Sequence, residues 1–456
     1  VSQIVVRPNG PLEGRVAVGG AKNSALKLMA ASLLAEGEHH LRNVPSITDV
    51  ETMSELLTRM GVEVSRPAPQ ELILKRGAHC GTEAPYELVE RMRASIVVLG
   101  PLLGWARQAR VAVPGGDDFG SRPIDMHLSG LEQMGARFEF RHGYIEATTD
   151  QLVGARIVLE FPSVGATENL LLAAVLAKGT TIIENAAREP EIADLAALLN
   201  AMGAIVHGAG SSTVEVEGVE HLEAVDHTVM PDRVEAATYL GALALAGGEI
   251  EIEGAQAQHM DMLLHKLTAM GMHITDTGDG LWALVERRLA SVDVSTLPYP
   301  GVATDYKPFF VTMLSVANGV SIVTENLFAG RFKYVSELIR MGADIRTEGH
   351  HAVIRGVPRL SGAPVRASDI RAGAALVLAG LAADGETVVA DAEHIDRGYE
   401  DLPARLRSLG ADVTRQAGVT RQAGVTRQEG VMCQEGITGQ EGSAPNGGIV
   451  RAGDWP

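Results

Sequence analysis

The sequence predicts an α/β protein of two similar lobes, with apolar helices inside and sheets around them. Three observations carry this. One helix ending recurs six times at nearly constant spacing. A second, more apolar helix precedes each copy, and short β-like stretches follow both.

The recurring ending reads LLTRMG to Gly61, LEQMG to Gly135, LLNAMG to Gly203, LTAMG to Gly271, LIRMG to Gly342 and LRSLG to Gly410. Each glycine stands just past an amphipathic helix, where a left-handed backbone costs glycine little, and a strand such as VEVS, ARFEF or ADIRT follows. The spacings are 74, 68, 68, 71 and 68 residues, which argues against a chance helix ending and exceeds the roughly 20 to 50 residues of a solenoid repeat. The more apolar helices are AKNSALKLMAASLLA, RASIVVLGPLLG, ATENLLLAAVLA, RVEAATYLGALALA, DYKPFFVTMLSVA and IRAGAALVLAGLAA. Strands such as TTIIEN, EIEIEG and ETVVAD come after them, so each unit reads strand, buried helix, strand, surface helix, strand. Three units per lobe account for a chain of 456 residues, too long for one ordinary domain. A 46% hydrophobic but only 4% aromatic composition suits an aliphatic core.

After Arg415 the chain turns to hexapeptides, AGVTRQ twice, then EGVMCQ and EGITGQ, with too few large apolar residues to bury anything. Disorder is expected for 417–456, which holds Cys433. Only Cys80 accompanies it, too few thiols for a disulfide framework or cysteine metal site. A formal charge of −18 without a basic cluster argues against nucleic acid and anionic membranes as partners. The opening residues lack the pattern of a signal peptide and no apolar run approaches about 20 residues, so the expected location is cytoplasmic. His127 and His394 have no metal-ligand spacing to other His or Cys residues. Neither a phosphate loop nor a dinucleotide-binding glycine motif is present, so no metal and no cofactor is expected.

Lys22, Asn23, Arg93, Thr167, Arg233, Asp305 and Arg371 all stand near the start of an inner helix, where free N–H groups and a neighbouring cation favour an anion. Arg188, Arg331 and Arg397 occupy loops, as an ion pair with a nearby carboxylate or as a ligand contact. In VPGGDDFGSRPIDMH, Pro114, Gly115 and Gly116 precede Asp117, Asp118 and Arg122, a pattern that reads either as a solvated turn or as a lid carrying a proton donor.

From about residue 3 to about 415 the chain resembles the UDP-N-acetylglucosamine enolpyruvyl transferase family. The resemblance rests on GGAKNSALKLMAA, MRASIVVLGPL, PGGDDFGSRPIDMHL, FPSVGATEN, IIENAAREPEI, LPYPGVATD, TENLFAGRF, SDIRAGAALVLAG and HIDRGYE. It implies two inside-out lobes of three βαβαββ units, one spanning 22–231 and the other 1–21 with 232–416. It also implies transfer of the enolpyruvyl group of phosphoenolpyruvate to the 3′-hydroxyl of UDP-N-acetylglucosamine, the first committed step of peptidoglycan synthesis.

By this resemblance Lys22, Arg122 and Arg397 hold phosphoenolpyruvate, with Arg93, Arg331 and Arg371 in the same cationic set. Asn23, Asp305 and Leu327 meet the sugar. Arg122, Pro123, Ile124, Asp125 and Met126 embrace the uridine, and Pro162, Ser163, Val164 and Gly165 offer backbone N–H groups to the diphosphate. Asp305 accepts the hydroxyl proton and Asp117 delivers or relays one. Asp117 replaces the cysteine of many members, which predicts insensitivity to fosfomycin because no thiolate is there to alkylate. Asp118 is a second acid in the same loop, and Lys307 stands where the family usually has glutamine. Two alternatives remain: an enolpyruvyl transferase of secondary metabolism using a nucleotide such as UMP, and a non-catalytic nucleotide-sugar-binding paralogue. Either a monomer or a weak homo-oligomer fits.

Overall fold

In the computed structural model, residues 2–115, 124–328 and 330–417 are described, and helices and strands alternate along them. Six outer helices, Thr48–Arg59, Asp125–Gln133, Pro190–Ala201, Asp261–Met270, Val335–Arg340 and Leu402–Ser408, run into the six glycines of the repeat. All six glycines are left-handed, with φ of +96°, +98°, +101°, +106°, +88° and +92° in chain order. Any residue with a Cβ at such an angle would cost about 1–2 kcal/mol.

The inner helices are apolar almost all round, which is the signature of helices buried on every side. All twelve residues of Ile370–Leu381 are buried, as are all nine of Lys307–Ser315. In these two helices the only charged residues, Lys307 and Arg371, lie in the first turn. One expected helix differs: Arg93–Val98 is a 3₁₀ turn and the α-helix proper is Leu99–Ala106. Pro101 lacks an N–H and is tolerated only in a first helical turn, so the α-helix begins afresh just before it. At Gly100 this helix meets Val164–Ala174 so closely that a Cβ would lie 2.2 Å from the Asn169 carbonyl oxygen.

Six four-stranded sheets surround the inner helices among the described residues, and they share one pattern: a parallel edge pair followed by two antiparallel pairings. In one, Asp226–Thr228 runs parallel to Gly37–Arg42, which pairs antiparallel with Glu71–Arg76, which in turn pairs with Val62–Ala68. The first strand, Ser2–Arg7, sits between Thr387–Ala390 and Asp412–Ala417, in register Ile4 to Val389 and to Arg415. The last strand runs to Ala417, the first residue of the expected tail, because Ala417 pairs with Ser2.

Buried apolar side chains form two clusters. One draws on Ala21 to Met230; the other combines Ile4, Val6, Leu12 and Val16 with Val234 to Val413. Each fully buried leucine contributes about 1.5–3 kcal/mol, which outweighs the weak intrinsic propensity of isolated helices this short. No helix among the described residues is long and apolar enough to cross a membrane.

Candidate active site

A cavity of about 560 Å³ opens between residues of the two clusters, lined on one side by Lys22, Asn23 and Arg93 and on the other by Asp305, Arg331 and Arg371. Arg397, Met126 and Leu327 also line it, together with Pro162, Ser163, Val164 and Gly165. Residues up to 375 positions apart in sequence, Lys22 and Arg397, therefore meet around one space.

Two carboxylates organise the cations. Lys22 opens the inner helix Lys22–Ala31, and its Nζ lies 2.8 Å from Asp49 Oδ2. Arg397 Nε donates to the other oxygen, Asp49 Oδ1, at 3.0 Å. Burial opposes the Asp49 anion, but Lys22 and Arg397 overcome it and hold the carboxyl below its usual range. Burial also pushes the Lys22 ammonium down, against the pull of Asp49. Across the cavity Arg331 Nη2 donates to Asp305 Oδ1 at 2.7 Å, and Arg371 Nε lies 3.6 Å from Oδ2. Burial again opposes the charge on Asp305, and Arg331, Arg371 and Lys22 more than compensate, so this carboxyl stays ionised well below the usual range.

Helix starts play a different part from the one expected. Asp232 caps Arg233–Ala246 through Val234 N–H at 2.7 Å, and Asp369 caps Ile370–Leu381 through Arg371 N–H at 3.0 Å and Ala372 N–H at 2.9 Å. These N-termini already hold an anion, so the arginines act through their side chains. Arg233 itself is spent: Nε and Nη2 make a paired contact with Glu191 at 3.0 and 3.2 Å. Arg188 is exposed, and Thr167 Oγ1 accepts from Ala187 N–H at 3.0 Å.

Several expected contacts need correction. Pro162 has no N–H to offer, and the Ser163 N–H is donated to the Phe161 carbonyl at 2.7 Å. Of that segment, only Val164 and Gly165 stand in a first helical turn, where backbone N–H groups lack intrahelical acceptors. Ile124 packs on the first apolar cluster and Asp125 is exposed at the start of its helix; neither lines the cavity. Asp117, Asp118, Arg122 and Pro123 lie outside the described residues, as does Cys433. Cys80 stands away from the cavity, its Sγ donating to the Met60 carbonyl at 2.8 Å.

Sequence reasoning missed Asp49, which reads as an ordinary first-turn acid in SITDVETM, and Glu168. A signal for Glu168 existed, since an acid inside an otherwise apolar helix is costly unless used. It is buried, lines the cavity and lies 3.4 Å from Lys27 Nζ, with neither carboxylate oxygen in a hydrogen bond. Burial raises it to about 7, Lys27 opposing and Glu191 and Glu189 reinforcing the shift. His127 is also buried in the wall, pushed down to about 4 by burial and by Arg93, and its Nδ1 accepts from Asn169 Nδ2 at 3.0 Å.

An interlobe cleft in which lysine and arginines are parked on two carboxylates defines a receptor for small, multiply charged anions. The family described as EPSP synthase (3-phosphoshikimate 1-carboxyvinyltransferase) matches residues 6–406. Over 413 residues the chain is 50% identical to UDP-N-acetylglucosamine 1-carboxyvinyltransferase of Mycobacterium leprae (strain TN), covering 91% of this chain and 99% of that protein. It is 51% identical over 413 residues to the enzyme of that name from Mycolicibacterium paratuberculosis, with the same coverage. Among solved structures, the enolpyruvyl transferase NikO from Streptomyces tendae superposes with a TM-score of 0.82 at 25% identity, over 91% of this chain and 99% of that one. EPSP synthase from Acinetobacter baumannii, at 19% identity and a TM-score of 0.72 over 91% and 100% of the chains, shares the fold. The chain belongs to the EPSP synthase family of enolpyruvyl transferases and, within it, to the UDP-N-acetylglucosamine 1-carboxyvinyltransferases.

Proposed function

We propose that this protein transfers the enolpyruvyl group of phosphoenolpyruvate to the 3′-hydroxyl of UDP-N-acetylglucosamine and releases phosphate, opening peptidoglycan synthesis. The observation that carries the reading is the meeting of Lys22, Arg331, Arg371 and Arg397 around one cavity, where Asp49 and Asp305 pair with all four but offset only half of their charge. A substrate bearing both a phosphate and a carboxylate competes with those carboxylates for the same donors, and arginine suits either oxyanion.

In this reading a proton adds to C3 of phosphoenolpyruvate, C2 becomes electrophilic, and the sugar hydroxyl oxygen bonds to C2 while its proton passes to Asp305. Loss of a C3 proton and of phosphate from the tetrahedral intermediate then restores the double bond. The cations stabilise the charge that develops without moving protons themselves. Asp305 is a weak base while its two arginines hold it ionised; the carboxylate of an arriving phosphoenolpyruvate draws on those arginines, and the Asp305 pKa climbs toward a useful value. Asp117 is the proposed proton donor or relay. In the closed complex desolvation would raise its pKa, with Arg122 opposing.

The two apolar clusters, Ala21 apart, support a domain assignment of 22–231 as one lobe and 1–21 with 232–416 as the other, with Ala417 ending the second lobe's last strand and the tail following it. A cytoplasmic location and a monomer or weak homo-oligomer complete the proposal. The test is phosphate release from phosphoenolpyruvate with UDP-N-acetylglucosamine and, separately, UMP. Release with the nucleotide sugar is expected. Release with UMP alone would make the protein an enzyme of secondary metabolism, and release with neither, despite sugar binding, would make it a binding paralogue.

A further inference from the structure

Behind the cavity wall lies an ion pair with no solvent exposure at all. Lys307, first residue of the inner helix Lys307–Ser315, places Nζ 3.1 Å from Glu325 Oε2, and both side chains are fully buried. Burying two charges costs more than their attraction returns unless further hydrogen bonds satisfy them, so the remaining partners tell what the pair holds. Glu325 Oε1 accepts from the N–H groups of Leu327 at 2.9 Å and Phe328 at 3.2 Å and from Thr296 Oγ1 at 2.7 Å. Its Oε2 accepts from Thr304 Oγ1 at 2.8 Å. The Lys307 ammonium donates to the carbonyl of Arg331 and lies 3.9 Å from the centre of the Phe332 ring. The carboxylate thus ties down the beginning of one loop and the ammonium its end. From that loop Leu327, Phe328 and Arg331 face the cavity. The chain of contacts reaches the reacting region in two steps: Thr304 Oγ1 accepts from Arg331 Nη1 at 2.9 Å, and Arg331 Nη2 reaches Asp305.

We propose that Lys307 and Glu325 are positioning residues that clamp both ends of the loop from 325 to 332, presetting the Leu327 backbone and the Arg331 guanidinium for the nucleotide-sugar acceptor. The identity of that acceptor rests on the function proposed above. Because the clamp works through donors directed at the Glu325 carboxylate and the Arg331 carbonyl, its requirement is for hydrogen-bond donors at position 307 rather than for charge. Glutamine supplies two such donors and methionine, of similar length, supplies none.

The experiment compares Lys307→Gln and Lys307→Met by amide exchange in the free protein and by steady-state kinetics. Lys307→Met is expected to speed exchange at Leu327 and Phe328 by about tenfold or more. It should also raise KM for UDP-N-acetylglucosamine on the order of ten- to a hundredfold, with the smaller change in kcat. Lys307→Gln should restore both readouts to near the original. Equal losses in the two variants with KM unchanged, or unaltered exchange in Lys307→Met, would overturn the clamp. If Lys307→Met does not fold, Thr296→Val removes one donor from Glu325 and should give the same pattern at smaller amplitude; no change in exchange would overturn it equally. An unaltered protein inactive on the nucleotide sugar would defeat the proposed function, while the exchange readout still decides the clamp.

Discussion

Asp49 and Asp305 each hold two cations, yet they are built for different work. Asp49 is nearly sealed, with 4% of its side chain exposed, and it joins Lys22 of one apolar cluster's helices to Arg397, 348 residues further along than the carboxylate. Asp305 keeps 27% exposure on the cavity side, and both its arginines come from nearby parts of the second half of the chain. A sealed anion bridging distant segments sets how cations are placed. An anion open to the cavity can exchange its partners for a substrate's oxygens.

The comparison breaks first at Asp305. Asp305→Ala should cut kcat by roughly a hundred- to ten-thousandfold, beyond what the stability lost by leaving the buried Arg331 and Arg371 without this partner explains; a folded variant that keeps its full turnover would erase the distinction. Asp49→Asn should cost about 3 kcal/mol of stability in denaturant titration because Lys22 and Arg397 are left against a neutral partner. Since the folded carboxyl sits below its ordinary 3.8, its stabilisation is complete above about pH 4 and fades as pH falls further. Asp49→Asn should therefore flatten the acid limb of the stability curve.

Glu168 sharpens the contrast, being a buried carboxyl with one lysine and no guanidinium. Its pKa is raised from 4.5 to about 7, so its contribution is full below pH 4.5 and is lost as pH rises through 7. Relative to Glu168→Gln, the unaltered protein should lose at most about 3 kcal/mol across that window, read by denaturant titration at several pH values. The smallest expected effect is none: incubation with fosfomycin should leave activity and intact mass unchanged. A covalent adduct on the loop carrying Asp117 would refute that expectation.

Much of the fold was legible because its signals are local. The left-handed glycines and the apolar inner helices follow from periodicities a few residues long. The start of Leu99–Ala106 departs from the expected one because Pro101 restarts the helix after the 3₁₀ turn. For the site, Lys22, Arg331, Arg371 and Arg397 were named from the sequence and line the cavity. Arg233 was also named from its helix start and lines the same cavity, where Glu191 takes both its Nε and its Nη2, a pairing no local pattern predicts.

What the sequence determined by itself was the unit, its sixfold repetition and the placing of cations at helix starts and in loops, since these depend on neighbours within a turn or two. Which carboxylate each cation meets was decided only by tertiary structure. Asp49 reaches Arg397, and Lys307 closes on Glu325, because whole helices and sheets pack to bring them within a few ångströms, and that packing is a property of the entire chain.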